Sequence, residues 1–215
     1  NTSKYTLVGM DAQGLELRML AHYMGDQRYS SIVVDGDPHT ENQQKAQLPT
    51  RDMAKTFIYA FLYGAGVAKI GKIVNGSPAD GTTLKKRFLK NLPSLKRLID
   101  KVQLAAQRGH IRGLDGRRIF IRHQHAALNS LLQGAGAIVC KQWSIFMDEA
   151  IQRERLNAHL VNTIHDELQY EVDKDHATRI IELADSTMQD VGKFFNMRVR
   201  LNAEARQGNN WAETH

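Results

Sequence analysis

The stretch that most constrains this chain is Leu160-Val-Asn-Thr-Ile-His-Asp-Glu-Leu-Gln-Tyr-Glu-Val172. Two runs rich in β-favouring residues, 160–164 and 168–172, flank the acidic knot His165-Asp166-Glu167, and Leu160, Ile164, Leu168, Tyr170 and Val172 recur at strand-like intervals. That pattern predicts a hairpin. Its turn is chemically odd. Two-residue hairpin loops favour Gly, Asn or Asp pairs that accept positive φ, and His-Asp or Asp-Glu serve this purpose poorly. Charged residues in a strained turn point to selection by chemistry over turn propensity. Adjacent carboxylates also repel, each raising the other's pKa unless a cation and a partner acid complete the arrangement. Read alone, the knot is equally a solvated acidic turn.

A partner acid is available near the start of the chain. Residues 5–10, Tyr-Thr-Leu-Val-Gly-Met, read as a buried strand ending at Asp11. An amphipathic helix follows from about Gly14 to Met24, with Leu15, Leu17, Met19 and Leu20 inward. Asp11 sits at a strand end, a position shared by binding acids and by ordinary capping aspartates. Glu16, one helical turn on, reads by itself as solvated. Gly36-Asp-Pro-His-Thr40 is turn-rich and leads into a polar helix through Gln47; His39 alone is a surface or capping histidine.

The next segment carries a second pattern. Pro49-Thr50 is a helix start, with Thr50 as N-cap and Asp52 complementing the positive end of the helix dipole. Arg51, Lys55, Tyr59 and Tyr63 then fall four apart and form one slowly winding stripe. Ala54, Phe57, Ile58 and Phe61 occupy a neighbouring face, so the helix has a core side and a separate cationic-aromatic side. Such a stripe suits a nucleotide: cations one turn apart grip phosphates, and the rings offer planar surfaces to sugar and base. The plain alternative is a solvated basic face with boundary tyrosines. Gly64-Ala-Gly66 ends the helix.

Residues 72–84 read as a loop, followed by a basic helical run from Leu84 through Arg108 broken at Pro93. Asp115-Gly116 marks a hairpin turn between short arginine-bearing strands. The longest helix is expected from Ala126 to about Arg155; on it Asn129 and Gln133, one turn apart, can both face a groove, although such amide pairs more often lie on the surface. Asp175–Phe195 reads as a further amphipathic helix, Met197–Ala203 as a final strand, and Trp211 as packing the tail down.

A chain of 215 residues holds one good-sized core or two lobes sharing a cleft. Its net charge of +6 points weakly to a polyanionic partner. The single cysteine, Cys140, excludes an internal disulfide framework and any CxxC metal site, and fits a reducing compartment. No apolar run approaches the ~18 residues of a membrane span. The first residue is Asn, which hints at a piece of something longer.

Acids on separate strands, Asp11 with Asp166 and Glu167, are suited to converge on a pair of divalent cations about 3.5–4 Å apart for in-line phosphoryl displacement. Magnesium is the natural choice, since it takes few carboxylates and completes its octahedron with water and phosphate oxygens.

These segments together resemble the polymerase domain of family A DNA polymerases, and within it the replicative branch of T-seven-like bacteriophages. Asp11-Ala-Gln-Gly-Leu-Glu-Leu-Arg18 looks like motif A, Arg51-Asp-Met-Ala-Lys-Thr-Phe-Ile-Tyr59 through Tyr63-Gly64 like motif B, and His165-Asp-Glu167 like motif C, in that order. The similarity runs from about residue 8 to Asn210-Trp211-Ala212. It implies an α+β fold in which an antiparallel palm sheet carries the catalytic acids beside a helical fingers subdomain. Residues 1–35 would be palm, 36–110 fingers and 111–215 palm, with thumb and exonuclease domains absent. Asp11 and Asp166 would bind two Mg2+ ions, with Glu167 catalytic and adjacent. Glu16 would crowd the sugar C2′ position, while Arg51, Lys55 and His39 would contact the triphosphate. Tyr59 would pack on sugar and base and Tyr63 near the template base. Asn129 and Gln133 would read the minor groove at the primer end, His165 would touch the primer terminus, and His125 stands where bacterial repair members carry Arg. The implied partners are primer-template DNA and dNTPs, with the missing N-terminal polymerase portion and a processivity factor bound through the absent thumb as further candidates. The implied setting is the host cell cytoplasm. Two alternatives stay open: a single-subunit RNA polymerase, disfavoured by Glu16 and Glu167, and a non-catalytic DNA- or partner-binding half of a split or truncated polymerase.

Overall fold

In the computed structural model, which describes residues 4–215, the chain is mixed helix and antiparallel sheet. In order it runs β1 (Tyr5–Ala12), α1 (Leu15–Met24), α2 (Gln27–Asp35), α3 (Pro38–Ala46), α4 (Arg51–Leu62), α5 (Val67–Ile73), α6 (Pro78–Asn91) and α7 (Pro93–Ala106). Then come β2 (His110–Arg112), β3 (Arg118–Phe120), α8 (Ala127–Glu154), β4 (Ala158–Ile164), β5 (Glu167–Asp173), α9 (Ala177–Phe194), β6 (Ala203–Gly208) and α10 (Trp211–Thr214). Two compact units result: one runs through Met19 and resumes at Ala135–His215, the other is Leu20–Gly134, so the division falls within α1 and within α8.

The first unit is built on the antiparallel sheet β4-β5-β1-β6. Val8, Met10, Leu168, Tyr170 and Val172, alternate residues of β1 and β5, are all at 2% exposure or below. Alternation at period two sends these side chains to one face. The amphipathic helix α9 packs against β1, β5 and β6 and buries Ile180, Ala184, Met188 and Val191. Trp143 of α8 is fully buried there, its indole N–H donating to Ala184 O and Thr187 Oγ1, both at 3.1 Å.

The second unit is helical apart from the β2–β3 hairpin. Phe57 and Phe61 each meet Phe88 edge-to-face in its core, Phe57 with ring centroids 5.1 Å from Phe88. Helices α5 and α6 cross closely because glycines meet there: a Cβ on Gly81 would stand 2.7 Å from Gly71 N. Gly116, at φ 82°, makes the β2–β3 turn at the expected Asp115-Gly116.

Several expectations are corrected. Residues 72–84 are not one loop, because Ser77 and Asp80 form a reciprocal capping box that starts α6 at Pro78. Helix α2 was not anticipated; its Ile-Val-Val stretch is a weak helix former, and Asp26, accepting from Tyr29 N at 3.1 Å, supplies the start. The final strand lies at Ala203–Gly208 instead of Met197–Ala203. Val199 and Leu201 are buried in strand-like alternation, but the ladder with β1 is made by the polar residues that follow. Glu167 belongs to β5, which leaves His165-Asp166 as the turn.

Candidate active site

The register of the sheet builds a row of acids. Asp11 lies opposite Glu167 of β5 on one side and opposite Glu204 of β6 on the other. Directly opposed residues of antiparallel strands share a face, and like charges so placed are destabilising. A fourth acid arrives from the hairpin tip. Ala12 N–H donates to Asp166 C=O at 3.1 Å, which ties the turn to β1 one residue beyond Asp11. The tip is tight because His165 takes the left-handed conformation, φ 53°, at a cost of about 1 kcal/mol or more.

Electrostatics register this crowding. Asp11 keeps an exposed edge, yet burial of its carboxyl, together with the charges of Asp166, Glu167 and Glu204, pushes its pKa up to about 6 against the opposing pull of His215. Below the acids the buried Cys140 thiol is pushed up to about 12, chiefly by burial and further by Asp166 and Asp11, so it stays protonated and inert. Glu167 behaves oppositely. Burial works to raise it, but hydrogen bonds from Gln169, His215 and Trp211 prevail and hold it below the usual carboxylate range.

The donors that this row offers are carboxylates. Among the described residues no group of three or more His, Cys, Asp or Glu is arranged to hold a metal ion. Carboxylate donors suit Mg2+, which binds through one or two of them and takes its remaining ligands from water and substrate phosphates. Asp11 and Asp166 are the residues that would hold it, and an ion there would offset the repulsion within the row. Glu16 lies half-buried in the first turn of α1, after the turn made by Gly14 at φ 53°.

In the second unit, Thr50 Oγ1 accepts from Met53 N at 3.2 Å and starts α4 as expected. Ala54, Phe57, Ile58 and Phe61 are buried, which turns Arg51 and Lys55 outward and leaves Tyr59 half-exposed. Tyr63 caps the helix at 55% exposure. Around this stripe the α3 start supplies two further groups. Asp37 caps α3 and receives Arg51 through Nε at 2.6 Å and Nη2 at 3.1 Å, and this pairing, with the hydrogen bond from Thr40, holds Asp37 far below the usual carboxylate range. His39 packs its ring against Tyr59 at 5.9 Å between centroids. Burial, then the charges of Arg51 and Lys55, lower the His39 pKa, so it is neutral at pH 7. The structure thus gathers His39, Arg51, Lys55 and Tyr59 into one cluster. Tyr63 ends the same helix. Elsewhere in this unit His125 stacks on His123 at 5.5 Å, Gln133 is exposed, and half-buried Asn129 has an amide oxygen that no hydrogen bond reaches among the described residues.

Comparison with known proteins places the whole chain in one family. The profile described as DNA polymerase family A matches residues 1–213. The chain belongs to that family. Among its relatives, the DNA-directed DNA polymerases of Enterobacteria phage T3 and Escherichia phage T7 are each 42% identical over 96% of this chain and 33% of their own length. DNA polymerase I of Aquifex aeolicus is 28% identical over 97% of the chain and 39% of its own length. This family A chain therefore spans about a third of the length of the phage relatives it matches.

Four residues of this family A chain escaped the sequence reading: Asp37, Glu204, His215, and Trp211 as a hydrogen-bond donor. Asp37 carried a signal, since Asp37-Pro38 is a strong helix start. The other three carried none. Their positions follow from strand register and from where α10 lands.

Proposed function

We propose that the chain is the catalytic region of a DNA-directed DNA polymerase acting in phage replication in the host cytoplasm, with residues 1–35 and 111–215 as palm and 36–110 as fingers. One observation carries this reading: Asp11 lies beside Asp166 in a row of acids whose mutual repulsion a bound cation would offset at neutral pH. When bound, two Mg2+ ions supply charge neutralisation at the reacting phosphate and lower the pKa of the attacking hydroxyl. The primer 3′ hydroxyl attacks the α-phosphorus of a dNTP, its proton passes to solvent, and pyrophosphate departs.

In this reading Asp11 and Asp166 hold the ions and Glu167 fixes a further negative charge beside them. Arg51 and Lys55 hold the triphosphate as cations, and neutral His39 does so as a hydrogen-bond donor. Tyr59 packs on sugar and base, Tyr63 lies by the template base, and Glu16 excludes a 2′ hydroxyl. Asn129 and Gln133 contact the minor groove, while His165 and His125 touch the primer strand. The partners are primer-template DNA and dNTPs.

A second reading is a DNA- or partner-binding half, inert without the remaining polymerase. Primer extension tests both, with the chain alone and joined to the remaining portion that longer relatives carry. Magnesium-dependent dNTP addition that is lost in Asp11→Ala and Asp166→Ala supports the catalytic reading. Wild-type rates in either variant sink it. Activity confined to the joined form supports the second reading for the isolated chain, and a preference for rNTPs would reassign the polymer made.

A further inference from the structure

The short helix α10 presses onto the face of the sheet that carries the acids, beside them. Glycines clear the space: a Cβ on Gly9 would stand 2.7 Å from both Cβ and O of Thr214, and one on Gly208 would stand 2.6 Å from Glu213 Cβ. Asn210 caps the helix by accepting from Glu213 N at 3.2 Å. From this seat two side chains reach Glu167. Trp211 Nε1 donates to Oε1 at 2.9 Å and His215 Nδ1 lies 2.6 Å from Oε2. Gln169 Nε2 donates to Oε1 as well, and its own Oε1 accepts from Thr214 Oγ1 at 3.0 Å. An ionised carboxylate only accepts, so Nδ1 of His215 carries the proton.

Both oxygens of Glu167 are therefore occupied, although the residue is only 5% exposed and stands opposite Asp11. We infer that Trp211 and His215 are positioning residues that lock the Glu167 carboxylate out of the metal-binding set, so that Asp11 and Asp166 alone face the ions. This rests on the polymerase reading of that pair. The sheet supplies the reason for a lock. A free third carboxylate beside two others binds a divalent cation more tightly, because affinity follows the number of ligand charges. An over-tight, re-ligated ion has fewer open positions for substrate oxygens. Partners behind a ligand set commonly control its affinity and rate at this level.

The test is direct Mn2+ binding by electron paramagnetic resonance on the 215-residue chain, with melting temperature as a control for folding. Trp211→Phe combined with His215→Ala should tighten Mn2+ binding about tenfold. His215→Asn, which keeps a donor, should restore wild-type affinity in the Trp211 background. In a Glu167→Gln background the same pair of changes should have no effect, since their influence passes through that carboxylate. Unchanged or weakened Mn2+ binding, or equal tightening without the Glu167 carboxylate, overturns the positioning role. If Asp11→Asn binds Mn2+ as the wild type does, the metal pair itself is wrong and the lock falls with it.

Discussion

Replacing Asp11 by Asn should make the metal-free protein more stable, and the size of the gain follows from the acid row. The carboxyl is raised from 3.8 to about 6 by burial and by Asp166, Glu167 and Glu204. A shift of roughly two pKa units corresponds to about 3 kcal/mol for a fully desolvated group. Asp11 keeps an exposed edge, so solvent screening reduces this to about 1 kcal/mol. The sign is fixed by proton binding. Folded Asp11 holds its proton more tightly than the unfolded chain does, so the penalty is complete above about pH 6 and fades as the pH falls toward 4. Urea denaturation in EDTA is the assay. At pH 7.5 Asp11→Asn should exceed wild type by about 1 kcal/mol, and near pH 4 the two should converge. An Asn variant less stable than wild type at pH 7.5, or a gain equal at both pH values, refutes the account of a strained acid row.

Two further outcomes test the second unit. Asp37→Asn removes the charge that holds Arg51; with the two side chains 49% and 40% exposed, the fold should lose no more than about 1 kcal/mol, while KM for dNTP rises. An unchanged KM in steady-state primer extension would detach Arg51 from the triphosphate. Gly81→Ala should cost about 1–3 kcal/mol or more in thermal denaturation, since the added methyl meets the α5 backbone where nothing can yield, and a neutral substitution would contradict that crossing.

Much of the fold was legible because local rules and tertiary packing agree in it. The caps at Thr50, the turn at Asp115-Gly116 and the buried faces of α1, α4 and α9 stand as their sequences indicate. Failures came where polarity misled. The α6 start is written in Ser, Pro, Ala and Asp, which serve a loop as readily as a capping box, and β6 is an edge strand with little apolar content to announce it.

The candidate site divides along the same line. The sequence by itself determined the α4 stripe and the strained His165-Asp166 tip, because residues four apart on a helix and residues adjacent in a turn are neighbours by covalent geometry alone. Only the tertiary structure decided that Glu204 stands beside Asp11, that Asp37 grips Arg51 and that α10 closes on Glu167. Those pairs are separated by 193, 14 and 44 or more positions. Strand register and helix docking bring them together, and both are set by burial of side chains far from the charges themselves.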